Sequence, residues 1–127
     1  MGPRRLIGTG AMSVTLNMAA GGDTLICAQL ADSVWARGRG LLGRSGLAPR
    51  QGLLIRPCSS VHTWFMRFAI DVVYLDRDWR VTKVVPNLKP WRFSWGRGAH
   101  MALELPSGEA GRQGIAPGVV LEGTHSG

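Results

Sequence analysis

The longest run of apolar character in this chain falls between Thr63 and Leu75, and its pattern is that of a strand. Residues 69–75 are apolar except for Asp71. Ile70, Val72 and Tyr74 alternate with Asp71, Val73 and Leu75, the period of two that sends successive side chains to opposite faces of a sheet. A one-residue slip would exchange those faces, so the register is expected to be firm. Shorter runs of the same kind surround it. Val14, Leu16 and Met18 alternate with Thr15 and Asn17, Gly21-Gly22-Asp23 reads as a hairpin turn, and residues 24–30 read as the returning strand. Leu53-Leu54-Ile55 is a strand stopped by Pro57, and residues 76–80 turn into a strand over 81–85. Residues 99–105 form another, and the Pro117-Gly118 turn leads into a last one over 119–121. Helical spacing is confined to two places. Val34, Gly38, Leu41 and Leu42 follow an Asp32 N-cap, in a helix that Gly38, Gly40 and Gly43 shorten or break, with Arg37, Arg39 and Arg44 toward solvent. Residues 108–113 form a second, capped by Ser107 and ended by Gly114. Many short strands with one or two short helices predict a mainly β domain: an antiparallel β-sandwich, jelly-roll or barrel-like fold.

At 127 residues the chain has the size of one domain and buries enough surface to need no metal or disulfide staple. It divides into a disordered extension over 1–11, a single β domain over 12–122 and a disordered tail over 123–127. The apolar stretch after Arg4 and Arg5 is interrupted by Gly8, Gly10, Ser13, Thr15 and Asn17, which denies it the core of a signal peptide. No run approaches the ~20 residues of a membrane helix. A cytoplasmic location without a transmembrane segment is the expectation. Fifteen Lys and Arg against eight Asp and Glu give a net charge of +7, and Lys83 and Lys89 are the only lysines. Such a surface suits anionic partners (nucleic acid, phosphates, acidic lipid) and serves solubility equally well. Cys27 and Cys58 stand apart, without zinc-type spacing, and read as buried thiols.

Three blocks occur in order: Arg39-Gly40-Leu41-Leu42-Gly43-Arg44, then Val61-His62-Thr63-Trp64-Phe65-Met66-Arg67-Phe68-Ala69-Ile70-Asp71-Val72-Val73-Tyr74-Leu75-Asp76, then Leu103-Glu104-Leu105-Pro106-Ser107-Gly108. Together they resemble domain-of-unknown-function family 192, a group of small bacterial and archaeal proteins, over about residues 12–122. The resemblance implies a mostly antiparallel β domain of sandwich or jelly-roll type with small accessory helices, and no settled activity. It matches Met66 and Asp71 to the family's central strand motif, and Glu104 and Gly108 to its Leu-Glu-Leu-Pro-x-Gly element. Ala69 stands where the family usually has Pro, Trp79 where it has Gly, and Val119 where it has Asp.

The chemistry-bearing residues gather in the same region. Cys58, His62 and Met66 are soft-metal ligand types, but four residues of strand span about 13 Å, so they do not share an ion and no metal or cofactor is expected. Asp71 inside an apolar run needs a partner. That partner is a neighbouring turn's amides, an Arg of the 37–44 region, or a task as general base beside Glu104 and His62. Residues 89–97 interleave Trp91, Phe93 and Trp95 with Lys89, Arg92 and Arg97. The mix suits base stacking with phosphate neutralisation, and equally a loop whose rings close one end of a barrel. The primary reading is a binding or accessory module. Its pocket, framed by His62, Trp64, Met66, Asp71 and Glu104 with Trp91 and Arg92 at the rim, would take a small or anionic ligand, a peptide or a protein partner. Two alternatives stay open: an enzyme using a His/carboxylate pair, and a nucleic-acid-binding domain.

Overall fold

β5 (Ile70–Leu75) is buried at every position, and it lies between two separate apolar clusters. The alternation in its sequence is the cause. Val73 and Leu75 join Leu16, Ile26, Leu54, Leu103 and Leu121 on one face, and Ile70, Val72 and Tyr74 join Leu53, Ile55, Val61 and Met66 on the other. Each such side chain, taken fully from water, stabilises the fold by about 1.5–3 kcal/mol.

The computed structural model describes residues 12–18, 26–31, 47 and 49–126. Besides β5, these hold β1 (Met12–Met18), β2 (Ile26–Ala31), β3 (Gln51–Ile55), β4 (Ser60–His62), β6 (Val81–Leu88), β7 (Phe93–Trp95), β8 (Met101–Pro106), α1 (Glu109–Arg112) and β9 (Leu121–Ser126). Seven strands form one sheet in the order β6-β5-β8-β3-β2-β1-β9, and β4 and β7 form a separate two-stranded ribbon. The mainly β class is as the sequence predicts, but the sheet is mixed. β2 and β3 run parallel, which the long connection between them permits. The two edges of the sheet meet at one point, where Arg80 bridges Val120, Val81 N–H donates to Val119 O at 2.7 Å and Leu121 N–H donates to Trp79 O at 2.9 Å. The sheet does not close into a barrel.

Several elements differ in extent from the sequence pattern. β6 continues through Pro86 to Leu88, because it is an edge strand and Pro86 need donate to no neighbour. β9 continues to Ser126, drawn out by pairing with β1. Residues 63–66, expected in the central strand, leave it in a turn. Cys27 is exposed, opposite in phase to buried Ile26 and Ala28, and Cys58 is only partly buried, so neither is the core thiol expected. At α1 the cap is not Ser107, whose hydroxyl donates to Asn87 Oδ1 at 2.8 Å; Gly108 takes the position at φ 90°. The helix ends as predicted at Gly114, with Gly114 N–H on Gly111 O and Ile115 N–H on Ala110 O, and with Ala110 and Ile115 both in the core. The extension over 1–11, the Gly21-Gly22-Asp23 turn and the helix after Asp32 lie outside the described residues. Among the described residues no helix is long and apolar enough to cross a membrane.

Candidate functional site

The β4–β7 ribbon lies over the face of the sheet that carries Tyr74. Its register pairs Ser60 with Trp95, Val61 with Ser94 and His62 with Phe93. Alternation then divides the ribbon: Val61 and Ser94 are buried beneath it, while Ser60, His62, Phe93 and Trp95 face solvent. Tyr74 Oη and Ser94 Oγ, 2.8 Å apart, join ribbon to sheet in a buried hydrogen bond. Gly96 lets the backbone pass directly over the Tyr74 ring, where an added Cβ would lie 2.7 Å from Cδ1. Burial raises the Tyr74 pKa above 10.0, outweighing the lowering effect of the Ser94 hydrogen bond.

Beyond β4 and before β7 the chain makes two turns, and Thr63 fastens them to each other. Its fully buried side chain donates to Lys89 O at 2.6 Å and accepts from Arg92 N–H at 2.9 Å. Its backbone donates to Arg92 O at 2.9 Å and accepts from Trp91 N–H at 3.0 Å. The residues at the two tips, Phe65 and Trp91, have φ of 66° and 65°, a left-handed conformation that bulky side chains rarely adopt. Their rings pack at 4.7 Å, tilted by 59°.

Along the ribbon the other rings follow in pairs. His62 stacks on Trp64 at 4.7 Å and 25°, its Nδ1 accepting from Trp64 N–H at 3.3 Å, and Phe93 lies 5.8 Å from Trp95. Trp64, Phe65, Trp91, Phe93 and Trp95 are between 46% and 69% exposed, and they are all the large exposed apolar side chains among the described residues. Carboxylates are absent from both segments that build this face. Residues 57–70 hold Arg67, and residues 79–103 hold Arg80, Lys83, Lys89, Arg92 and Arg97, with no Asp or Glu in either. Lys83 Nζ donates to Trp95 O at 2.8 Å and lies 5.7 Å from the Trp95 ring centre.

The two carboxylates of the predicted pocket do not reach this face. Asp71 accepts from Asn87 N–H at 2.9 Å, Gly108 N–H at 3.1 Å and Ala110 N–H at 2.9 Å, so it caps α1 from across the fold and ties down the end of β6. Of the partners foreseen for it, the neighbouring turn's amides are the ones present. Glu104 lies on the other face, opposite Val72 and Leu53, and burial pushes its pKa to about 8. Among the described residues no hydrogen bond or ion pair reaches its carboxyl. A third buried carboxylate, Glu109, is held below its ordinary range. Burial alone would raise it, but hydrogen bonds from Gln113 at 2.7 Å and Arg112 at 2.9 Å, with the Arg112 charge, outweigh that.

Seven residues expected to frame one pocket are thus distributed over three places. His62, Trp64, Trp91 and Arg92 share the open face of the ribbon, Met66 and Glu104 lie beneath it, and Asp71 is on the far side of the sheet. The ribbon separates His62 from Glu104, and the sheet separates both from Asp71, so His62 pairs with neither carboxylate. An open depression lined by Asp76, Arg77, Asp78, Gly98, Ala99 and His100 contains none of the seven. The soft ligands also diverge: Cys58 donates to Ser60 O at 3.0 Å, His62 faces outward and Met66 faces the core. Of the two readings of the rings over residues 89–97, closure of a barrel end is not the one present: Trp91, Phe93 and Trp95 are exposed. Thr63 and Phe65 went unmarked in the sequence. The available signal was a Thr-Trp-Phe triplet matched by a Trp-Arg-Phe-Ser-Trp run with period-two aromatics.

Similarities to known proteins follow the same boundaries. Residues 15–123 match the family DUF192, described as uncharacterized ACR. The UPF0127 protein PH1112 of Pyrococcus horikoshii is 39% identical over 70 residues, 50% of this chain and 57% of that protein, so the match spans little more than half of that relative's length. The UPF0127 protein PF1050 of Pyrococcus furiosus is 38% identical over 84 residues, 61% of this chain and 69% of that protein. Among solved structures, a proposed transcription regulator from Sinorhizobium meliloti superposes with a TM-score of 0.80 at 24% identity, covering 94% of this chain and 98% of that one. A protein of unknown function from Novosphingobium aromaticivorans gives 0.77 at 23%, covering 96% and 93%. At these identities the two structures establish the fold alone.

Proposed function

The chain belongs to the uncharacterised DUF192 family, and on that premise we propose that it is a binding module that holds an anionic partner on the open face of its β4–β7 ribbon. The observation that carries this is the gathering, on one ribbon and its turns, of the five large aromatic side chains exposed among the described residues, in segments with six cations and no carboxylate. Exposed apolar surface of this kind is retained where something covers it. The cations Lys89, Arg92 and Arg97 beside the rings select what does. His62, Trp64, Trp91 and Arg92 are the binding residues, joined by Phe65, Phe93 and Trp95. Met66, Asp71 and Glu104 belong to the support beneath. A pocket reading has less behind it, because those seven residues lie on three surfaces. An enzymatic reading through His62 has less behind it, since Asp71 is committed to backbone amides and His62 to Trp64.

Retention on a heparin matrix, followed against salt, tests the proposal. The wild-type chain should bind at low salt and elute progressively as salt rises. Lys89→Glu with Arg92→Glu should elute much earlier at an unchanged melting temperature. No retention of the wild type at low ionic strength would end this reading.

A further inference from the structure

We infer that the partner of this face is single-stranded nucleic acid, its bases stacked on the ribbon's rings and its phosphates held by the cations between them; this rests on the anionic-partner reading above. The geometry points there in three ways. Phe93 and Trp95 are two residues apart on one strand, so they stand on the same face, their ring centres 5.8 Å apart. His62 continues the row across the ribbon from Phe93, and Trp64 lies stacked on His62, its plane only 25° away. Rings gathered on one open face give unpaired bases π faces to stack on, and such stacking is tolerant of base identity.

The cations are placed for a backbone that runs alongside such a row. Arg92 sits between Trp91 and Phe93 in sequence, Lys89 just before the tip and Arg97 just after Trp95, all exposed. In addition, the tips are held in a costly conformation. Phe65 and Trp91 keep positive φ because Thr63 fixes both turns, and backbone strain of this kind persists where the direction of a side chain matters. A duplex would present its bases already stacked and out of reach of rings standing on a flat ribbon. A bilayer would call for rings gathered at one protruding tip. Here they run from the Phe65–Trp91 tip back to Trp95, which pairs with Ser60 at the other end of the ribbon.

Fluorescence anisotropy with a labelled 12-nucleotide homopolymer at low salt provides the test. The comparison probes are an abasic strand of equal length, a blunt duplex, heparin, and vesicles of phosphatidylcholine with phosphatidylglycerol. The single strand should bind at least tenfold more tightly than the abasic strand or the duplex. Trp64→Ala and Phe93→Ala should each weaken it by about 5- to 150-fold, far more than they weaken heparin retention. Arg92→Gln should lower the slope of log affinity against log salt by about 0.7. Melting curves of each variant establish that these exposed substitutions leave the fold intact. Equal affinity for the single strand, the abasic strand and heparin would overturn the inference while leaving the anionic-partner reading in place. Preference for duplex would overturn it likewise. Preference for the vesicles would reassign the face to a membrane surface. Failure to bind any polyanion would remove both readings together.

Discussion

Asp71 and Glu104 are one rung apart on the β5–β8 ladder and point to opposite faces of the sheet, Asp71 opposite Leu105 and Glu104 opposite Val72. Both carboxyls are buried, at 1% and 5% exposure. Their surroundings differ completely: three backbone amides converge on Asp71, whereas Glu104 is surrounded by apolar side chains and its acid is driven toward the neutral form. The first is a carboxyl the fold has built a socket for, and the second is an acid whose proton is held by its apolar setting.

Asp71→Asn should therefore be severe. An amide in that socket turns one acceptor into a donor facing the N–H groups of Gly108 and Ala110, which leaves α1 uncapped. Leaving buried N–H groups without their acceptor costs about 1–3 kcal/mol. A clearly lower urea midpoint is the expected result. An unchanged or raised midpoint at matched pH would mean that the socket does not stabilise the fold.

Glu104→Gln should show its effect through pH. The folded pKa of about 8 lies above the ordinary 4.5, so between those values the folded chain holds a proton that the unfolded chain has released. The stability contributed by this group is complete below about 4.5, declines as pH rises and is lost by about 8. The interval corresponds to a few kcal/mol, on the order of 3–5. Urea melts from pH 5 to 9 should show this decline in the wild type and not in Glu104→Gln, which should be the more stable protein at pH 9. Parallel pH profiles for the two would refute the assignment.

Thr63→Val keeps the shape of a fully buried side chain but strands Lys89 O and Arg92 N–H, at a cost of about 1–3 kcal/mol. The loss should be local. Amide hydrogen exchange should accelerate in residues 63–66 and 89–93 while β5 and β8 stay protected. Uniform acceleration across the sheet would show that Thr63 supports the whole domain and not the two turns.

Gly96→Ala places a methyl group against a ring that cannot retreat, because Tyr74 is buried and bonded to Ser94. Over-packing of this kind costs about 1–3 kcal/mol. The urea midpoint should fall, and a wild-type value would show that the ribbon can lift from Tyr74 at little cost.

The fold was more legible in the sequence than the site, for a physical reason. Period-two alternation is local, and β5 displays it in six consecutive residues, so both of its faces and the burial of Asp71 could be read directly. The partner of Asp71 could be narrowed only to alternatives, since its amides come from 16, 37 and 39 residues further along the chain. Glu104 and Asp71 looked like neighbours in one pocket because both are acids in apolar runs. Only the pairing of Asp71 with Leu105 puts them on different faces. The ribbon was hidden for the same reason. β4 and β7 are three residues each, and neither contains enough of a pattern to announce a strand without the other.

β9 pairs with β1 from Ser13 opposite Ser126 to Met18 opposite Leu121, joining the two most distant described strands of the chain in one ladder. During synthesis β1 leaves the ribosome long before the strand that covers its outer edge. Until residues 121–126 emerge, β1 can pair only with β2, and its other edge stays open to chance neighbours. Closing a loop of that length carries its entropic cost before any contact offsets it, so the sheet should assemble late and slowly. The nascent protein, more than the finished one, is then the form with most need of a chaperone's protection.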